Sequence, residues 1–184
     1  MASESPAVGL TLRPLRPGDE ETAVRWGAER EFCLASGWTP GLAPRVLRRH
    51  WQAIIADRSP DFLRLGIEQR GEGQGGELVG YVDLGDITAG SAEFGIAIGE
   101  PHRWGQGTGT RAGQLLLAHA FGPLGLSVLR AKVHAPNVRS HALMQRLGFI
   151  PVGESGTDLY RGAQVPLVRY EARREDWLRL SKSM

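Results

Sequence analysis

Cysteine is almost missing from this chain: Cys33 is the only one in 184 residues. An internal disulfide and a cysteine-built zinc site are therefore excluded, no metal is expected, and the fold has to be held by its core. Cys33 is expected as a buried or half-buried helix residue, since no local motif supports the alternative of a catalytic thiol. Long apolar runs are also missing, and no stretch approaches the roughly 18 residues that cross a membrane. The start, MASESPAVGLTLRPLRPGDE, lacks a charged segment followed by an apolar one. A cytoplasmic protein with no membrane partner is expected. No Gly-Lys-Ser/Thr occurs, which removes a P-loop. Finally, from Pro101 through Gly153 there is no Asp or Glu.

What fills that acid-free span is basic: Arg103, Arg111, Arg130, Lys132, Arg139 and Arg146, with four of the five histidines. Such a segment attracts a polyanion. Interleaved aromatics and nucleic-acid motifs are lacking, so a small phosphorylated cofactor fits better than nucleic acid. At 41% apolar, the chain is long enough for one well-buried core. One domain over residues 1–184 is expected, with 1–9 a flexible N-terminus.

Hydrophobic spacing orders the elements. Leu10 to Leu15 reads as a strand, and Asp19 as the N-cap of a helix running to about Arg30. Pro44 opens a second helix with Leu47, Trp51, Ile54 and Ile55 at helical spacing. The period then falls to 2 in FLRLGIEQ, ELVGYVDLGD and SAEFGIAIG, an antiparallel meander whose first turn is the flexible GEGQGG. A helix to about Phe121, the strand VLRAKVHA and the helix NVRSHALMQRL follow, the last stopped by Gly148. FIPVGES and QVPLVRYEARR close the chain as two strands around the loop GTDLYRGA. The order β-α-α-β-β-β-α-β-α-β-β predicts an α/β three-layer domain with a mixed, mostly antiparallel sheet of about seven strands.

RWGQGTGTRAGQLLLAHAF, Arg103 to Phe121, places Gly105, Gly107 and Gly109 directly before an apolar helix. Glycine N–H groups can approach a ligand closely, and a helix N-terminus adds unpaired donors, which together suit a phosphate. GTGTRA formally matches the dinucleotide fingerprint, but that site needs an acid about 20 residues on. The next carboxylate is Glu154.

These residues resemble the GNAT superfamily of N-acetyltransferases, whose loop Arg/Gln-x-x-Gly-x-Gly/Ala binds the pyrophosphate of acetyl-CoA. WGQGTG, Trp104 to Gly109, keeps both glycines but has Trp at the first position, as in the branch that includes ribosomal-protein N-terminal acetyltransferases. VHAPNVRSHALMQRLGFIPVGE resembles the Asn-x-x-Ser helix and closing Gly-Phe of that branch through Asn137, Ser140, Leu143, Gly148 and Phe149. The likeness runs from about Asp61 to Glu154.

The resemblance implies acetyl transfer to a primary amine, a small molecule or a peptide or protein N-terminus, by direct attack in a ternary complex. The diphosphate would lie on Gly105, Gln106, Gly107, Thr108, Gly109 and Thr110, neutralised by Arg103, Arg111 or Arg139. Ile96, Ala97 and Ile98 would pair with pantetheine at a splayed strand edge, and Asn137 would add a bond or serve as a helix cap. Glu93 is the expected base, directly or through water, with Asp83 as substitute. The N–H of Ile98 or its neighbour would hold the oxyanion. Where many members carry Tyr this chain has Met144, which leaves Ser140 as the expected acid with His141 behind it. Trp26, Phe32 and Trp38 are expected either along the acceptor wall or in the core. The chain outside the basic span is net acidic, which would suit a cationic acceptor. A homodimer is expected by analogy. The alternative is a non-catalytic acyl-CoA-binding or sensing domain.

Overall fold

The computed structural model describes residues 9–71 and 75–181. Strand β1 (Gly9–Pro14) leads to helices α1 (Asp19–Ala28), α2 (Arg30–Ser36) and α3 (Pro44–Ala56). The meander is β2 (Leu63–Arg70), β3 (Glu77–Gly85) and β4 (Ser91–Ile98). Then come α4 (Thr108–Phe121), β5 (Val128–His134), α5 (Val138–Arg146), β6 (Ile150–Tyr160), β7 (Ala163–Arg173) and α6 (Arg174–Ser181). All seven strands form one sheet in the order β1-β2-β3-β4-β5-β7-β6. Every pairing is antiparallel except β4 with β5. Of the GEGQGG turn, Glu72, Gly73 and Gln74 lie outside the described residues, as do residues 1–8 of the N-terminus.

Side chains alternate across a strand, so each strand feeds two layers. On one face Ala92 and Phe94 of β4 join Leu129, Ala131 and Val133 of β5 beneath Leu116, Leu117, Ala120 and Phe121 of α4. On the other, Tyr81 and Ala97 meet Trp26, Phe32, Cys33 and Trp51 from the first three helices. The sheet is thus the middle of three layers. Cys33 is buried among these side chains.

The first helix differs from its expected course in two places. Gly18, in left-handed conformation at φ 103°, is the cap, and Asp19 begins the helix. Its carboxylate accepts from Arg16 N–H at 2.8 Å and from Arg13 at 2.8 and 2.9 Å. Arg13 also bonds the buried Glu68, so this network ties β1, β2 and α1 together. The helix breaks at Glu29, whose backbone is extended. In one continuous helix Trp26 and Phe32 would point about 120° apart; the break lets both enter the core with ring centroids 5.9 Å apart.

Most of the expected loop GTDLYRGA is strand, and the hairpin turns at Arg161 and Gly162 with φ 52° and 83°. Two consecutive positive φ values are the type I′ geometry that suits twisted strands. The terminal helix α6 was not part of the expected order; its Trp177 packs on Phe121 at 5.8 Å.

Candidate active site

The parallel pairing of β4 and β5 lasts only from Ser91↔Val128 to Glu93↔Arg130. Beyond it the strands separate. Gly99 N–H bonds Val79 O on β3, and alternation then turns the backbone groups of Ile96 and Ile98 into the gap. Trp104 Nε1–H donates to Ile98 O at 2.9 Å. The groups left at this open edge are Ile98 N–H and both backbone groups of Ile96.

At the end of β4 the chain makes a 3-10 turn, Pro101–Arg103, and passes through Gly105 and Gly107 at φ 76° and 83°. These values require glycine on steric grounds. Helix α4 has no side-chain cap, and its first turn holds no acid. Among the described residues the N–H groups from Gly105 to Thr110 have no acceptor; the first bond of the helix is Arg111 N–H to Gly107 O at 3.0 Å. A row of convergent donors at the positive end of a helix is an anion cradle.

The cradle opens into a cleft of about 480 Å³ walled by Ile96–Ile98, Trp104, the N-terminus of α4 and one face of α5. Asn137 caps α5 by accepting from Ser140 N–H at 3.2 Å. Its amide NH₂ keeps no partner among the described residues, so capping leaves these donors open to the cleft. Ser140 lines the cleft and its hydroxyl is unbonded among the described residues. His141 is engaged at both nitrogens: Nε2 lies 3.0 Å from Ala135 O and Nδ1 2.7 Å from the Tyr170 hydroxyl. Since a carbonyl only accepts, Nε2 carries the proton and Nδ1 accepts from Tyr170. His141 therefore has a structural post. Met144 is buried in the core below.

The arginines divide. Arg103 borders the cleft, but its guanidinium bonds Glu77 at 2.8 Å and Gln69 at 3.3 Å, with Glu100 at ion-pair distance, 3.3 Å. Arg139 lies over the Trp104 ring at 3.9 Å. Arg111 is exposed on the first turn of α4. Gln106 turns its side chain back to His102 O at 2.7 Å, and neither Gln106 nor Thr108 is among the residues that line the cleft.

The carboxylates lie outside the cleft lining. Glu93 is paired with Lys132 at 3.1 Å. Asp83 receives Arg64 through two bonds of 2.6 Å, and Arg64 in turn stacks 4.1 Å over Tyr81. Burial pushes the Tyr81 phenol up from its ordinary value. Both carboxylates share one sheet face with Gly95 between them; a Cβ on Gly95 would sit 3.3 Å from that of Asp83. Trp26 and Phe32 are fully buried and belong to the core, the second of their two expected places. Trp38 is half-buried and donates to the Tyr81 hydroxyl at 3.0 Å.

Six lining residues were not singled out as site residues in the sequence: Ala35 and Ser36 of α2, and Val138, Ala142, Leu143 and Arg146 of α5. Arg146 follows Arg139 by seven residues, two helical turns, so the shared face was readable. The stretch RWGAEREFCLASGWTPGLAPR, which the family resemblance implies as the acceptor wall, contains α2.

A strand pair that splays beside a glycine-built anion cradle defines a nucleotide-phosphate site opening on an unpaired strand edge. That edge fits the amides of pantetheine, and the cradle fits a diphosphate. The acetyltransferase (GNAT) domain matches residues 9–150, and the chain belongs to this family. It is an acetyl-CoA-dependent N-acetyltransferase: acetyl passes from acetyl-CoA to an amine. Over 171 residues it is 26% identical to YdaF of Bacillus subtilis (strain 168), named as a candidate ribosomal N-acetyltransferase, covering 91% of this chain and 93% of that one. The fold is similar to the Vibrio cholerae spermidine N-acetyltransferase in complex with CoA and spermine: TM-score 0.78, 24% identity, 92% and 98% of the two chains. A dodecameric form of the Vibrio cholerae enzyme matches with TM-score 0.72, 24% identity and coverage of 92% and 96%. Among the described residues no helix is long and apolar enough to cross a membrane.

Proposed function

We propose that this acetyltransferase acts on the N-terminal amine of a polypeptide, working as one domain in the cytoplasm. One observation carries the choice of acceptor. Three carboxylates on this layer already hold cations: Asp83 has Arg64, Glu93 has Lys132 and Glu31 has Arg161. A polycationic amine would have to displace these internal partners, whereas a polypeptide terminus brings one reacting amine and a backbone. The likeness to YdaF points the same way. A homodimer is part of the proposal by family analogy.

The site residues take these roles. N–H groups from Gly105 to Thr110 hold the diphosphate, with Thr108 and Thr110 on the first turn of α4, and Arg111, Arg139 and Arg146 supply positive charge. Arg103 holds the loop to β2 and β3 through Gln69 and Glu77. Ile96 and the Asn137 amide hold pantetheine, and Ile98 N–H faces the developing oxyanion. Glu93 accepts the amine proton through water, Asp83 being held by Arg64. Ser140 donates to the departing thiolate, since its hydroxyl is unbonded and Met144 has no proton. Trp38 and Ser36 bound the acceptor. The test compares kcat/KM for a peptide with a free N-terminus against a linear polyamine. A preference for the peptide of tenfold or more is expected; the reverse preference would overturn the reading.

A further inference from the structure

Arg161 holds a left-handed conformation, φ 52°, that a residue with a Cβ keeps only when its surroundings impose it. The surroundings here are specific. Its Nη1 and Nη2 donate to the two oxygens of Glu31 at 3.1 and 2.5 Å. Its Nε donates to the Tyr160 hydroxyl at 3.3 Å. Tyr160 stacks on His134 with centroids 4.7 Å apart, and His134 Nε2 lies 2.9 Å from the Asp158 carboxylate. The β6–β7 hairpin tip is thereby fastened to α2 on one side and to the end of β5 on the other.

The elements that carry the two fastening points lie beside the gap between β4 and β5: α2 lines the cleft through Ala35 and Ser36, and His134 is on β5 past its last pair with β4. Glu31 stands one helical turn before Ala35, the α2 residue that lines the cleft, on the same stripe. The Arg161 guanidinium, and with it the field of Arg139 from the α5 wall, holds the Glu31 carboxyl below the usual carboxylate range. His134 stands four residues past the last β4–β5 pair, about 13 Å further along β5. Helix α2, the hairpin tip and His134 frame the gap on the layer where Glu93 and Asp83 lie.

We propose that the Glu31–Arg161 bridge is a specificity-determining closure of the acceptor entrance, holding the hairpin tip against α2 so that only slim, extended amines pass. The proposal rests on the acetyl-transfer reading. Both side chains are partly exposed, so either can be replaced without opening the core.

The experiment measures kcat/KM for two tripeptide amides, one beginning with glycine and one with valine, which is branched beside the reacting amine. Glu31→Ala and Arg161→Ala are each expected to shift the ratio towards valine by about tenfold, within what a pocket edge discriminates. The swapped pair Glu31→Arg with Arg161→Glu is expected to restore it, with acetyl-CoA affinity unchanged throughout. A ratio within twofold of the parent in both single variants would overturn the closure while leaving acetyl transfer intact. An unrestored ratio in the swapped pair would assign the effect to side-chain size and overturn it too. No turnover of any amine by the parent would overturn the acetyl-transfer reading, and the closure with it.

Discussion

Gly107→Val is the sharpest perturbation of the phosphate cradle. Gly107 sits at φ 83° immediately before α4, and a Cβ built there meets no heavy atom within 4 Å. The Cβ itself therefore meets no crowding, and backbone strain is the main intrinsic effect. A left-handed conformation costs an L-residue about 1–2 kcal/mol. That strain has two outlets. If the loop keeps its shape, the cost falls on stability, and Tm drops by about 2–8 °C for a chain of this length. If the loop relaxes, the N–H groups from Gly105 to Thr110 stop converging, and the Kd for acetyl-CoA rises by roughly 5–30-fold. Calorimetric titration and a melting scan on one preparation read both outlets. A variant with Kd within twofold and Tm within about 1 °C of the parent would refute the claim that this conformation builds the cradle.

Ser140→Ala is expected to lower kcat by about 10²–10⁴-fold, the range of positioned proton transfer, with acetyl-CoA affinity unchanged in a titration. An unchanged kcat would remove Ser140 from the mechanism. Hydrogen bonds from Arg13 and Arg70 hold the Glu68 carboxyl below its ordinary range. A depressed folded-state pKa stabilises fully above the unfolded value, about 4.3, and that stability is lost as pH falls through the folded value. Urea midpoints measured from pH 6 down to about 3 are expected to fall less steeply for Glu68→Gln than for the parent. Parallel slopes would contradict this. Trp26→Ala is expected to cost about 3–5 kcal/mol in urea unfolding, as for a large aromatic in a closed core. A loss below about 1 kcal/mol would return Trp26 to the acceptor wall.

The parts of the site that could be read in the sequence are those whose logic is local. Gly105, Gly107 and the first turn of α4 are neighbours in the chain, and the Asn137–Ser140 cap spans a single helical turn. Ion pairing between distant strands left no local mark. Arg103 looks like a phosphate ligand until β3 brings Glu77 to it, and Glu93 looks free until Lys132 arrives from β5. Trp26 and Phe32 show the same limit: six residues apart, they do not share one face of a single helix, and the break at Glu29 brings both into the core. The hairpin tip was read as loop because Arg-Gly is a less familiar type I′ pair than Asn-Gly. The acid-free span from Pro101 to Gly153 is a broad signal: three of its arginines, Arg103, Arg139 and Arg146, line the cleft, while Arg130 and Lys132 pair with Glu171 and Glu93.

The most direct test of the central claim is a transfer assay with the full chain, acetyl-CoA and a panel of peptide and small-molecule amines. Released CoA thiol and acetylated amine, the latter identified by mass spectrometry, are followed together. The account predicts equal amounts of the two products with at least one peptide amine. Tight binding of acetyl-CoA with no acetylated amine across the panel would contradict it, and would leave a domain that holds the coenzyme without using it.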